Sequence, residues 1–130
     1  MAQQRPRYDG FIPGQYPIDG YGAGGFVFAG MSHRGSILAL PDGIHAWPVS
    51  SMNDVTLEAL EKVFSQPPGE VELLLIGAGE RLVPIPSDIK SLLQAKSIRS
   101  DPMATAHAVS TYNILLGEKR KVAAALIAAM

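Results

Sequence analysis

The 130-residue chain contains no cysteine. That excludes a disulfide scaffold, a thiol nucleophile and any cysteine-ligated zinc or iron–sulfur centre. An excess of charge of either sign is also missing: 11 Lys and Arg stand against 12 Asp and Glu, a net charge of −1. Without a broad basic field, nucleic acid is not an expected partner. Long apolar runs are absent as well. The longest, Val122 to Met130, is less than half of the roughly 20 residues that a spanning helix needs, so no integral membrane segment is expected. Met1 to Arg7 carries two arginines without an apolar or amphipathic stretch behind them, unlike a secretory or transit signal. A cytoplasmic location follows as the default.

Catalytic patterns are scarce too. His33, His45 and His107 share no metal-ligand spacing, and no G-x-S-x-G elbow occurs. No catalytic residue, metal or cofactor is assigned from the sequence.

What the chain does have is apolar mass. Hydrophobic residues make up 47%, enough for one domain with its own core. Residues 1–10 read as a loose tail and residues 11–130 as the domain. Glycine and proline crowd the first 25 residues and exclude a helix there. Short extended pieces are expected at Phe11-Ile12 and Tyr16 to Ile18, then a strand at Phe26 to Ala29. Gly30 to Gly35 reads as a polar turn. Ser36 to Leu40 is apolar on both faces, as a strand covered on both sides would be. Pro41-Asp42-Gly43 turns the chain into a strand, Ile44 to Trp47, which Pro48 stops.

A helix is expected from Thr56, with Leu57, Leu60, Val63 and Phe64 inward, ended by Pro67-Pro68-Gly69. Val71 to Ile76 is the strongest strand signal and reads as the central, doubly covered strand. A second helix starts at Ser87 or Asp88, with Ile89, Leu92 and Leu93 on its inner face. Ser97 to Ser100 is a strand candidate, parallel to the central one. Asp101-Pro102 reads as the start of a third helix striped by Ala106, Val109, Tyr112 and Leu116, with Gly117 placed to end it. The segment after Gly117 is ambiguous locally: Val122 to Ala129 is alanine-rich and favours helix, whereas Gly117 favours a new element.

Three features carry candidate chemistry. Gly77-Ala78-Gly79 follows a buried strand. It lacks the third glycine of a dinucleotide fingerprint, and Pro84 and Pro86 block an immediate helix. The glycines then serve a sharp turn or a close backbone approach, or a ligand at the carboxyl end of a parallel strand. Asn113 beside the third helix's stripe is either a buried amide bonded to a loop or a pocket lining. Lys119-Arg120-Lys121 is the one basic cluster, and Glu118 partly offsets it. Glu118 and Arg120 are two apart, on one face of a strand, so Asn113, Glu118 and Arg120 are expected to form a polar cluster that fixes the helix-to-strand turn.

Several stretches together resemble a known family: Leu74-Leu75-Ile76-Gly77-Ala78-Gly79, Asp101-Pro102-Met103-Ala104-Thr105, and Thr111-Tyr112-Asn113 through Glu118-Lys119-Arg120-Lys121-Val122 to Leu126. Gly35 to Pro41 and Trp47 fit as well. Over roughly residues 15–128 the chain is similar to the Mth-type domain-of-unknown-function family, whose relatives include a mitochondrial complex I assembly factor and an adipogenesis-associated protein. The resemblance implies a three-layer α/β domain: a central mixed β-sheet, helices packed on it, and an extra N-terminal β element. It also implies that Arg120 to Ile127 is a strand, antiparallel to its neighbours, against local propensity. Two positions depart from the family pattern. Ala78 stands where members of the family usually carry Thr, and Ala104 where they usually carry Asp, which weighs against an enzyme.

The reading that follows is a non-catalytic module for protein binding or assembly, its partner an unidentified protein and its oligomeric state unassigned. The alternative is a small-ligand binder or enzyme with a cleft near Gly77, Thr105 and Asn113. The candidate pocket or interface comprises Gly77, Gly79, Thr105, Tyr112, Asn113, Glu118 and Arg120.

Overall fold

Consecutive apolar positions put both faces of a strand against protein, and the two such stretches become interior strands. The computed structural model describes residues 10–129, so the tail expected over residues 1–10, Gly10 apart, lies outside the described residues. The main sheet has six strands: β1 (Phe11–Pro13), β5 (Ser36–Leu40), β6 (Gly43–Trp47), β7 (Leu73–Gly77), β8 (Arg99–Met103) and β9 (Val122–Leu126). Their order is β1-β6-β5-β9-β7-β8. Both β5 and β7 are interior, as expected. The middle of the sheet, however, is β5 and β9, with β7 one place from the edge.

β9 is the alanine-rich segment with ambiguous local propensity. It is a strand, as the resemblance implies, but shorter than Arg120 to Ile127. Nor is it antiparallel to both neighbours. It pairs antiparallel with β5 (Leu38 opposite Ala125) and parallel with β7 (Leu75 opposite Ala124). The sheet is therefore mixed, with β9 as the joint. β7 and β8 are parallel, Leu73 opposite Arg99.

One face of the sheet presents Leu38, Leu40, Leu74, Ile76, Ala123 and Ala125 to Leu60, Val63, Ile89 and Leu93. These belong to a 3-10 turn (Glu58–Leu60), α1 (Glu61–Phe64) and α2 (Ser87–Ala95). The other face presents Ile37, Ala39, Leu75, Ala124 and Leu126 to Phe26, Phe28, Ala108, Val109 and Tyr112. These come from a second, three-stranded sheet and from α3 (Thr105–Gly117). The expected α/β layering, with an extra N-terminal β element, is what the chain forms.

That extra element is β2 (Gly20–Gly22), β3 (Gly25–Phe28) and β4 (Met31–Arg34), all antiparallel. The polar turn expected over Gly30 to Gly35 is mostly β4. Its turn is only Ala29-Gly30, with φ of +51° and +74°, and Ala23-Gly24 repeats the pattern at +51° and +79°. Two consecutive left-handed residues make the tight turn whose twist suits a hairpin. Composition alone reads the whole polar stretch as a turn.

Two helix starts also differ. The first helical segment is short and broken at Leu60 (φ −104°, ψ 13°), where the Trp47 indole N–H donates to the carbonyl of Ala59 at 2.7 Å. The third helix starts at Thr105, because Asp101 and Pro102 extend β8. Pro102 fits there since β8 is an edge strand, where a missing N–H breaks no ladder bond.

Candidate functional site

Thr105 joins three elements. Its side chain is fully buried. Its hydroxyl donates to the carbonyl of Ile127 just past β9 (2.7 Å) and accepts from the amide of Gly79 just past β7 (2.9 Å). The Thr105 amide returns a bond to the Gly79 carbonyl at 2.8 Å. Gly77 permits the approach: a Cβ there would lie 2.9 Å from Thr105 Oγ1, 3.0 Å from its Cα and 3.1 Å from Leu126. Gly79 takes φ of +104°, outside the range of most side chains. Gly77, Gly79 and Thr105 thus meet, and the hydroxyl's donor and an acceptor position are used within the chain.

Tyr112 and Asn113 form a second group, about two turns further along α3. The Tyr112 hydroxyl donates to the carbonyl of Tyr16 at 2.8 Å. Burial pushes this phenol well above its usual range, and a hydrogen bond with the Gln15 side chain offsets part of that. Asn113 grips the backbone of Ile18 from both sides. Nδ2 donates to the Ile18 carbonyl (2.7 Å), and Oδ1 accepts from the Ile18 amide (2.8 Å). Gln15 Nε2 donates to the carbonyl of Val122 at 2.7 Å. The strandless segment 15–18 is therefore held against α3 by side chains in place of a ladder.

Glu118 and Arg120 join neither group. Both are exposed, and thirteen residues of helix separate Thr105 from Glu118, about 20 Å at 1.5 Å per residue. The polar cluster expected of Asn113, Glu118 and Arg120 does not form. Nor does Gly117 make the turn, since it is the last residue of α3. Lys119 makes it, at φ +61°, with Lys119 N donating to the Leu116 carbonyl (2.9 Å) and Arg120 N to that of Leu115 (3.0 Å). This paired closure is a Schellman motif. The end of α2 repeats it through Ser97 (φ +60°) and Ile98.

Other polar residues do similar work that the sequence did not single out. Ser36 donates to the carbonyl of Val49 (2.6 Å) and accepts from the amide of Ala128 (2.9 Å). Its signal was a lone hydroxyl opening an apolar strand. His45 pairs with Asp42 at 3.0 Å, its ring 4.7 Å from that of Phe11. Among the described residues no group of histidines and carboxylates is placed to hold a metal ion. Surface grooves lie elsewhere, including one between α1 and α2 that is lined by Leu57, Phe64, Leu92 and Ala95.

Comparison with known proteins places this arrangement. The family described as "Protein of unknown function (DUF498/DUF598)" matches residues 18–127. An uncharacterized protein of Rhodobacter capsulatus is 40% identical over 123 residues, covering 94% of this chain and 91% of its own. The NADH dehydrogenase [ubiquinone] 1 alpha subcomplex assembly factor 3 of Xenopus tropicalis is 33% identical over 110 residues, 85% of this chain. The match spans 60% of that assembly factor's length. A crystal structure described as an outer membrane protein from Bartonella henselae superposes with a TM-score of 0.86 at 46% identity, covering 91% of this chain and 98% of the other. The fold is also that of a Bordetella pertussis protein described as a Mth938-like domain, with a TM-score of 0.76 at 24% identity over 98% and 92% of the two chains. On the match over residues 18–127, the chain belongs to the DUF498/DUF598 family.

Proposed function

We propose that residues 11–130 act as one non-catalytic binding domain that assists assembly of an NADH dehydrogenase complex through protein–protein contact. The observation that carries this reading is the 33% identity to a relative named for that assembly. The site geometry supports it. The polar atoms that the sequence nominates are engaged in holding the fold: Thr105 on Gly79 and Ile127, Tyr112 on Tyr16, and Asn113 on Ile18. A catalytic group needs a proton or lone pair free to meet a substrate. By the family resemblance, Thr and Asp are usual where Ala78 and Ala104 stand here, and these alanines have no polar side-chain atom to offer.

The test is in-cell cross-linking of the tagged full chain, read by mass spectrometry. Cross-links to NADH dehydrogenase subunits are the expected result. Their absence, together with a thermal shift on adding a metabolite, would overturn the reading in favour of a ligand site. A metabolite at 100 times its dissociation constant would add about 2.7 kcal/mol.

We place this action in the cytoplasm. No helix among the described residues is long and apolar enough to cross a membrane. The main sheet is open, ending at β1 and β8, with both faces covered. The Bartonella description makes cell fractionation the deciding experiment. Recovery in the soluble fraction is expected, and recovery with the outer membrane would contradict the placement.

A further inference from the structure

Helical spacing turns Leu57 and Leu92 toward the core, yet the structure leaves them 49% and 40% exposed. The reason is local. Leu57 precedes the short 3-10 turn and escapes the stripe set by Leu60 and Val63. Leu92 lies beside Leu93, and Ile89 and Leu93, four apart, take the inner face of α2. Both displaced leucines line one groove of about 430 Å³ between α1 and α2, with Phe64 and Ala95 completing its apolar floor. Glu58 and Glu61, from the segment of the 3-10 turn and α1, and Lys96, just past the end of α2, also line it. None of these three charges is ion-paired among the described residues.

We propose that this groove receives an amphipathic helix of a partner protein. This deepens, and rests on, the reading of the chain as a protein-binding module. The partner's apolar side chains, spaced i, i+3/i+4 and i+7, seat on Leu57, Phe64 and Leu92. Its flank carries Lys or Arg opposite Glu58 and Glu61. These are three residues apart and therefore neighbours on one wall. An acidic residue faces Lys96, so the lining charges also set the direction of the incoming helix.

Two other occupants fit less well. A second copy seated groove to groove on a two-fold axis would bring concavity against concavity and fill neither groove. An extended peptide would add to the open edge at β8. There Arg99 N donates to Glu72 and Met103 O accepts from Ala78, so Arg99, Asp101 and Met103 face β7. Ser100 and Pro102 then face outward, and Pro102 has no N–H to offer an added strand.

The test selects from a phage-displayed library of amphipathic helices, roughly 18 residues or five turns long, against the full chain. Counter-selection uses the Leu57→Ser/Leu92→Gln variant. Both positions are surface-exposed, so the fold is expected to survive, checked by an unchanged melting curve. Enriched peptides should carry the apolar spacing with one basic flank and should shift backbone amide signals of residues 57–64 and 92–96. They should lose at least about tenfold in affinity for the variant. A Glu58→Lys/Glu61→Lys variant should reject them and accept a peptide with an acidic flank instead. Peptides that bind the double-leucine variant equally, that map to another face, or that fail to enrich would overturn the groove. So would self-association abolished by the same variant, which would make the occupant a second copy. If cross-links to NADH dehydrogenase subunits form on another face while the groove fails, the assembly reading survives and this proposal does not.

Discussion

The carboxamide of Asn113 pairs with both backbone groups of Ile18, ninety-five residues earlier, at 2.7 and 2.8 Å. A side chain here does what a neighbouring strand does in a sheet, and it anchors a glycine- and proline-rich segment that has no ladder of its own. Asn113→Ala leaves a donor and an acceptor of Ile18 without their partner. The expected cost is about 1–3 kcal/mol, seen as a fall in melting temperature of about 4 °C per kcal/mol. An unchanged melting temperature would contradict the anchoring role.

Thr105 should behave as a hydroxyl-dependent clamp. Thr105→Val keeps the shape but deprives the Gly79 amide and the Ile127 carbonyl of a partner. Urea unfolding should show a loss of about 1–3 kcal/mol. Thr105→Ser retains both bonds and should lose less. A loss for Thr105→Ser as large as expected here for Thr105→Val, with Thr105→Val itself near wild type, would assign the effect to the methyl group.

Lys119 holds a left-handed conformation that glycine adopts freely. That conformation costs an L-residue roughly 1–2 kcal/mol, part of which glycine's greater chain entropy offsets. Lys119→Gly is therefore expected to stabilise the protein by about 0.5–1 kcal/mol in urea titration. Destabilisation would mean that the lysine side chain contributes more than its backbone geometry costs.

Burial holds the His33 imidazole below its usual range, with a backbone hydrogen bond to Ser36 opposing the shift. The unfolded chain takes up a proton near the ordinary value of about 6.5, while the folded chain resists until lower pH. The contribution is thus full above about pH 6.5 and is lost as pH falls through the window below it. His33→Gln should flatten the dependence of melting temperature on pH between about 7 and 5. An identical slope in the two proteins would show that other groups set it.

Much of this architecture is legible in single residues. β5 and β7 declare themselves because every position from Ile37 to Leu40 and from Leu74 to Ile76 is apolar, and a doubly covered strand is the economical way to bury such a run. β9 does not declare itself. Ala123, Ala124 and Ala125 favour helix in isolation, and their strand state depends on the close layers above and below, a tertiary fact. Only the family resemblance places it, and even that misses its parallel pairing with β7. Pro102 reads as a helix start until the sheet order shows it on an edge. For the site, Gly77, Thr105 and Asn113 are recognisable as special. Their roles are not, because hydrogen-bond partners as distant as Ile18 and Ile127 have no signature in local spacing. Glu118 and Arg120 share a face only if a strand begins at Glu118, and β9 begins at Val122.

In the proposed function, this chain helps build an NADH dehydrogenase complex by contact, without chemistry of its own. The most direct measurement is the amount of fully assembled complex on native gels from the host, with the chromosomal copy deleted and then restored. Deletion should deplete the assembled complex and let subcomplexes accumulate, and the intact chain should restore assembly. A deletion strain with assembled complex at the parental level would contradict it.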